Sequence, residues 1–309
     1  MDNLLKKTQI VQFVIILIFY ILTSINEDEI NNKTLVKDNP YYNLLTNIVK
    51  YNNILNDNII HIQNNIDIIN NCDNELLMKN NEYFYIFYNK YNIYVYFYKE
   101  KNSNIHNIYF NGLSKFNIKI ILKFIFNKFN FDYIQKILKK KGNLYNVELN
   151  TIKKINKLSN ASLIDCFDYL YNIDNNSEKI NLNINGFSFG GILSQGFVHI
   201  LLEKYAKLNK FNIEIFNIES WFNGDKENFD NFSKKINIKN IYNKKSILYF
   251  YNILVQPYFK IDHFINDNNY DDDFDIENIL DYNINLFPNG IINYFNDNHL
   301  LSKIYKDIE

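Results

Sequence analysis

The sequence predicts an α/β domain, a mostly parallel sheet with helices on both faces, preceded by a hydrophobic leader helix. Two observations carry this. After residue 100, short β-branched and aromatic runs alternate with helix-length amphipathic runs, the order that crossover-connected parallel strands require. Within that alternation, Gly186-Phe187-Ser188-Phe189-Gly190 lies between an apolar run, Ile180–Ile184, and a helix-like run from Gly190 to about Leu208. No internal repeat and no Gly- or Pro-rich linker interrupts residues 26–309, so one domain after the leader is the economical reading.

Composition narrows the function classes. The net charge is −1, which gives no electrostatic footprint for a nucleic-acid partner. Every basic residue is lysine, so no mechanism that needs a guanidinium clamp is available. Asn, Ile, Lys, Tyr and Phe are abundant, as in an AT-rich coding sequence of the kind found in some large viruses and protists. Aromatic stripes and the four N-x-S/T sites (Asn32, Asn160, Asn175, Asn231) therefore weigh less than they otherwise would. Cys72 and Cys166 form either one disulfide or two buried thiols. No Cys/His metal spacing occurs, and neither a metal nor a cofactor is expected.

In chain order, Lys6 and Lys7 precede an apolar run from Ile10 to Leu22, so residues 1–25 read as a signal peptide or a membrane anchor. This points to a secreted or membrane-associated protein of the secretory pathway. Residues 30–80 carry helical apolar spacing, with Pro40 as a helix boundary. Residues 83–111 change to period two in three aromatic runs, which predict three successive strands. Residues 115–140 are amphipathic, with Ile121, Phe124, Ile125 and Phe129 at helical spacing. Two more helical stretches are expected over 144–172. Strands follow at Ile180–Ile184, Ile213–Ile218 and Ile247–Leu254, and residues 266–281 read as an exposed loop.

The glycine pattern has a chemical reason. Gly186, Gly190, Gly191 and Gly196 put four of the chain's 8 glycines within one short stretch. A serine raised on a sharp strand-to-helix turn brings neighbouring backbone very close, and glycines two residues either side remove the Cβ atoms that would collide. The helix that follows aims its N-terminal N–H groups at charge developing beside the serine. The competing reading is a glycine-rich turn before a buried helix.

These residues resemble the class 3 (fungal-type) triacylglycerol lipases of the α/β-hydrolase fold. Gly186-Phe-Ser-Phe-Gly-Gly-Ile-Leu-Ser194 is similar to that family's G-H-S-L-G-G-A-L-A elbow, with Phe187 in place of His. Phe216–Phe229, Ile247–Pro257 and Asn298-His-Leu-Leu-Ser-Lys-Ile-Tyr305 resemble its later segments, in order. Ile108-Tyr-Phe-Asn-Gly-Leu-Ser114 sits where the family has its oxyanion segment. The resemblance spans about residues 80–305.

It implies a serine hydrolase acting on lipid esters, with association at a membrane surface as part of that expectation. Ser188 is the expected nucleophile, and the backbone N–H groups of Phe189 and Leu113 the expected oxyanion donors. The fold's order is serine, acid, histidine, which leaves His299 as the expected base and His263 as the second choice. His199, within the helix, reads as a packing residue. The family's aspartate position falls on Asn252 or Ile253; Asp262 is the acid expected, with Asp267 and Glu219 as the other carboxylates in range. An acid replaced by Asn leaves a second reading, a catalytically impaired lipase-like protein that binds lipid or a protein partner. A third is a membrane-anchored structural protein whose glycine motif arose by chance.

Overall fold

The computed structural model describes residues 34–35, 74–89, 93–112, 131–148, 151–154, 158–171, 179–205, 210–222, 224–243, 249, 252 and 256–265. Outside these lie the leader, residues 115–130 of the amphipathic stretch, the stretch 266–281, and with them Leu113, Asp267, His299, Cys72, Asn32 and Asn175.

Among the described residues, ten strands form one sheet: β1 (Thr34–Leu35), β2 (Asn81–Asn89), β3 (Tyr94–Glu100), β4 (Ile105–Phe110), β5 (Gly142–Glu148), β6 (Thr151–Lys154), β7 (Ile180–Phe187), β8 (Phe211–Ile218), β9 (Asn237–Asn243) and β10 (His263–Ile265). Their order across the sheet is β1-β10-β9-β8-β7-β4-β3-β2-β5-β6. The expected parallel half runs from β4 through β7, β8, β9 and β10 to β1. From β4 to β6 every pairing is antiparallel. The sheet is therefore mixed rather than mostly parallel. Its aromatic segments are joined by turns too short for a crossover, and such segments pair only antiparallel.

Five helices are described: α1 (Asn74–Asn80), α2 (Phe131–Leu138), α3 (Leu163–Tyr171), α4 (Phe189–Lys204) and α5 (Lys226–Ser233). α3 starts with a capping box: Asp165 N donates to Ser162 Oγ and Ser162 N to Asp165 Oδ2. The hydrogen bond from the Ser162 hydroxyl holds the Asp165 carboxyl below its ordinary value. α4 is apolar on nearly every side and is correspondingly buried from Phe189 to Val198. It crosses α2 closely, because a Cβ on Gly196 would stand 2.4 Å from Ile134 Cγ2.

Alternation along the strands sorts the core. Phe97, Ile108, Phe110, Leu182, Ile184 and Ile215 project to one face and pack with α2, α3 and α4. Phe84, Ile86, Tyr96, Tyr109 and Phe216 project to the other, and each is at most 1% exposed.

Two expected elements differ. Gly142–Glu148 and Thr151–Lys154 pair antiparallel as β5 and β6 and are not helical. Leu144 and Val147 lie on opposite faces of the sheet, and β2 offers β5 an unpaired edge. In the stretch 247–254, expected as a strand, the described residues Tyr249 and Asn252 are helical, and Gln256 N donates to Asn252 O at 2.9 Å. A continuous apolar run of that length does not reveal its period. The fourth parallel strand is supplied instead by the Asn- and Lys-rich β9.

Candidate active site

The chain turns from β7 into α4 at a single residue, Ser188, with φ 54 and ψ −121. A non-glycine residue holds that backbone only where its surroundings enforce it. Four contacts do so. Ser188 N extends the β7–β8 ladder to Ile218 O at 2.9 Å, and Gly191 N closes back on Ser188 O at 3.0 Å. A Cβ on Gly186 would stand 2.4 Å from Gly190 O, and one on Gly190 only 2.1 Å from Phe110 O. The end of β4 thus abuts the first turn of α4. The Ser188 side chain makes no cap hydrogen bond to its own helix, and the residue is half-buried.

The expected oxyanion donors divide. Phe189 opens α4, where a backbone N–H has no acceptor within the helix. Leu113 falls outside the described residues, but its neighbour Gly112 packs on the elbow, with a would-be Cβ 2.9 Å from the Phe187 ring.

The carboxylates fall at different heights along the sheet. Asp262 lies beside the middle of β9, not at a strand's carboxyl end: its N–H donates to Asn240 O, and its Oδ2 accepts from Asn240 N at 2.9 Å. Its other oxygen faces Lys239 Nζ at 3.8 Å. Asp262, the acid expected from the sequence, thus pins the start of β10. Three strand intervals, roughly 14 Å, separate β10 from β7. His263, paired with Ile241, shares that separation.

Glu219 is the carboxylate next to the elbow. It follows Ile218, the residue that accepts from Ser188 N, and its own N–H donates to Ile241 O at 2.9 Å. It is 0% exposed and has a φ of 51, a left-handed conformation rare for Glu. The loop after it is held carbonyl by carbonyl. Tyr242 OH donates to Ser220 O, Gln195 Nε2 to Trp221 O at 3.0 Å, Gln256 Nε2 to Phe222 O at 2.9 Å and Tyr258 OH to Gly224 O at 2.9 Å. Phe222 N in turn donates to Gln256 Oε1 at 2.9 Å. Burial pushes the Tyr242 hydroxyl well above its ordinary value, and the Glu219 charge pushes it further.

Gln195, Asn217 and Asn240 extend this order beneath the elbow. Gln195 Nε2 also approaches Asn217 Oδ1 at 3.4 Å, Asn217 Nδ2 donates to Asn240 Oδ1 at 3.0 Å, and Asn240 Nδ2 to Lys260 O at 2.6 Å. Sequence reasoning missed these amides. Their one signal was Asn217 inside the apolar run of β8, a signal that an Asn-rich composition drowned.

Asn252, at the resemblance's acid position, is 2% exposed. Its Nδ2 donates to Phe259 O at 2.7 Å, and its Oδ1 has no hydrogen-bond partner among the described residues. His199 Nε2 faces Glu203 Oε1 at 3.1 Å one turn along α4, a half-exposed pair rather than a packing residue. His106, on β4, bonds through Nδ1 to Tyr83 OH at 2.7 Å. Cys166 is a free, buried thiol, pushed up to about 12 by burial.

No family model matches the chain, and no curated protein matches it. Among solved structures, the crystal structure of M37 lipase aligns with 15% identity over 55% of this chain and 55% of that one, with a TM-score of 0.37. The aligned part thus spans about half the length of that lipase, and a likeness this slight carries no argument about activity.

Proposed function

We propose that this chain is a serine hydrolase of carboxylic esters, with lipid esters as the substrate class that its resemblance to the class 3 lipases implies. The observation that carries the reading is the backbone of Ser188, held at φ 54 and ψ −121 between a parallel strand and a buried helix. Strain of about 1–3 kcal/mol is maintained at one residue there, and that residue bears a hydroxyl.

In this reading Ser188 Oγ attacks the ester carbonyl, and the oxyanion collects on the N–H groups of Phe189 and Leu113. His299 takes the serine proton and returns it to the leaving alcohol; water then repeats the sequence on the acyl-enzyme. Glu219 replaces Asp262 as the carboxylate that orients the imidazole and stabilises its charged form, because it stands one strand from Ser188. Secretion through the leader and action at a membrane surface belong to the same proposal.

Ser188→Ala should abolish hydrolysis of a short-chain chromogenic ester and labelling by a fluorophosphonate probe. Glu219→Gln should lower kcat by about 10⁴ if the acid's role matches that of the triad aspartate in proteases. Turnover that survives Ser188→Ala refutes the hydrolase. A second reading, a lipase-like binding protein without catalysis, is favoured by Asn252 at the acid position; an unmodified Ser188 in the folded wild-type chain would establish it.

A further inference from the structure

We infer that Gln195 is a positioning residue that fixes the separation between the element carrying Ser188 and the loop carrying Glu219. The inference rests on the Ser188–Glu219 reading. Gln195 lies two turns into α4, the helix whose first turn sets the serine, and its side chain is 0% exposed. Both hydrogens of its amide are directed at the β8 side: one to Trp221 O at 3.0 Å, the other towards Asn217 Oδ1 at 3.4 Å. Trp221 is two residues beyond Glu219, so one amide ties the helix to the carboxylate's loop.

The need for such a tie follows from the backbone. Glu219 at φ 51 is a strained residue whose loop has no regular ladder to hold it. Tyr242, Gln256 and Tyr258 fasten the same loop, but they come from β9 and the segment after it. Among these clamping side chains Gln195 alone comes from α4. Without it the loop remains fastened to β9 but loses its side-chain hydrogen bond to the helix. A buried amide is costly unless it is bonded, so an apolar side chain would be the simpler occupant of a helix otherwise packed with Ile, Leu, Phe and Val. Glycine at 191 keeps the two elements close enough for the bond, since a Cβ there would stand 2.3 Å from Ser220 Oγ.

The test is a double-mutant cycle in the full chain, read as kcat and KM on a short-chain ester. Gln195→Met keeps the volume and removes both donors. It should lower kcat about tenfold to a hundredfold, as expected for a misplacement of up to 1 Å, with KM within about twofold. The acidic limb of the kcat/KM profile should move to lower pH, because a loosened carboxylate stabilises imidazolium less. In a Glu219→Gln background the same substitution should change kcat by less than about twofold. Gln195→Asn, which keeps the amide but withdraws it by one methylene, should give an intermediate loss and serves where Gln195→Met does not fold. Additive losses, or a lowered thermal midpoint with unchanged kcat, overturn the inference. Turnover that persists in Ser188→Ala overturns the hydrolase reading instead, so the two failures are distinguishable.

Discussion

Two adjacent glycines of the elbow should fail for different reasons, and the difference is measurable. A Cβ on Gly190 would stand 2.1 Å from Phe110 O and 2.7 Å from Asn111 O. Both are backbone atoms at the end of β4 and cannot rotate away, so the strand end must move by roughly 1 Å to reach ordinary contact. Gly190→Ala should therefore cost about 3 kcal/mol, the upper end of usual overpacking, and lower the thermal midpoint by about 6–10 °C. The displaced elbow should also lose about a hundredfold in ester turnover well below that midpoint. Gly191→Ala meets instead the Oγ and Cβ of one side chain, Ser220, at 2.3 and 2.5 Å. Ser220→Gly removes both atoms, so the double variant should recover at least half of the stability lost, whereas Ser220→Gly should recover none in the Gly190→Ala background. Thermal unfolding of the four variants and the wild type decides the matter. Equal rescue of both glycine variants, or a Gly190→Ala variant within about 0.5 kcal/mol of wild type, would refute the assigned contacts.

Two further outcomes follow from buried groups. Asn252→Asp restores the carboxylate that the resemblance expects, but it buries a charge at a side chain 2% exposed. With Glu219 as the acid, it should destabilise the chain and leave kcat no higher; a large gain in kcat would move the acid to residue 252. His106 is held below its ordinary 6.5, first by burial and then by the nearby Lys99 charge, against a smaller opposing pull from Glu82. The folded chain therefore binds fewer protons at this site than the unfolded chain. The stability contribution of neutral His106 is complete above 6.5 and is lost as pH falls from 6.5 through the lower folded value. Urea midpoints between about pH 8 and about pH 5 should fall less steeply in His106→Gln than in wild type; identical slopes would show that His106 is not coupled to folding.

The elbow was legible in the sequence because part of its constraint is local: the glycine spacing records the close approach of Gly186 to Gly190 and Gly191. The three aromatic strands were legible for a similar reason, since period two over Tyr83–Tyr88 and its successors needs no partner to be seen. The acid was not. What distinguishes Glu219 from Asp262 is that one follows the strand next to Ser188 while the other caps Asn240, and neither fact is local to its own segment. The β5–β6 hairpin was missed because β2 supplies the edge that overrides a short apolar stretch's weak helical spacing. β9 was hidden by asparagines, which by propensity argue against a strand, yet Asn240 is buried within it and bonded to Asn217 and Lys260.

The sheet also tapers. Its inner strands β2, β7 and β8 have nine, eight and eight residues, while the borders β1 and β6 have two and four. Among the described residues, these border strands offer a second molecule only a few peptide groups to pair with. In a chain so rich in Ile, Tyr and Phe, short borders of this kind limit edge-to-edge pairing.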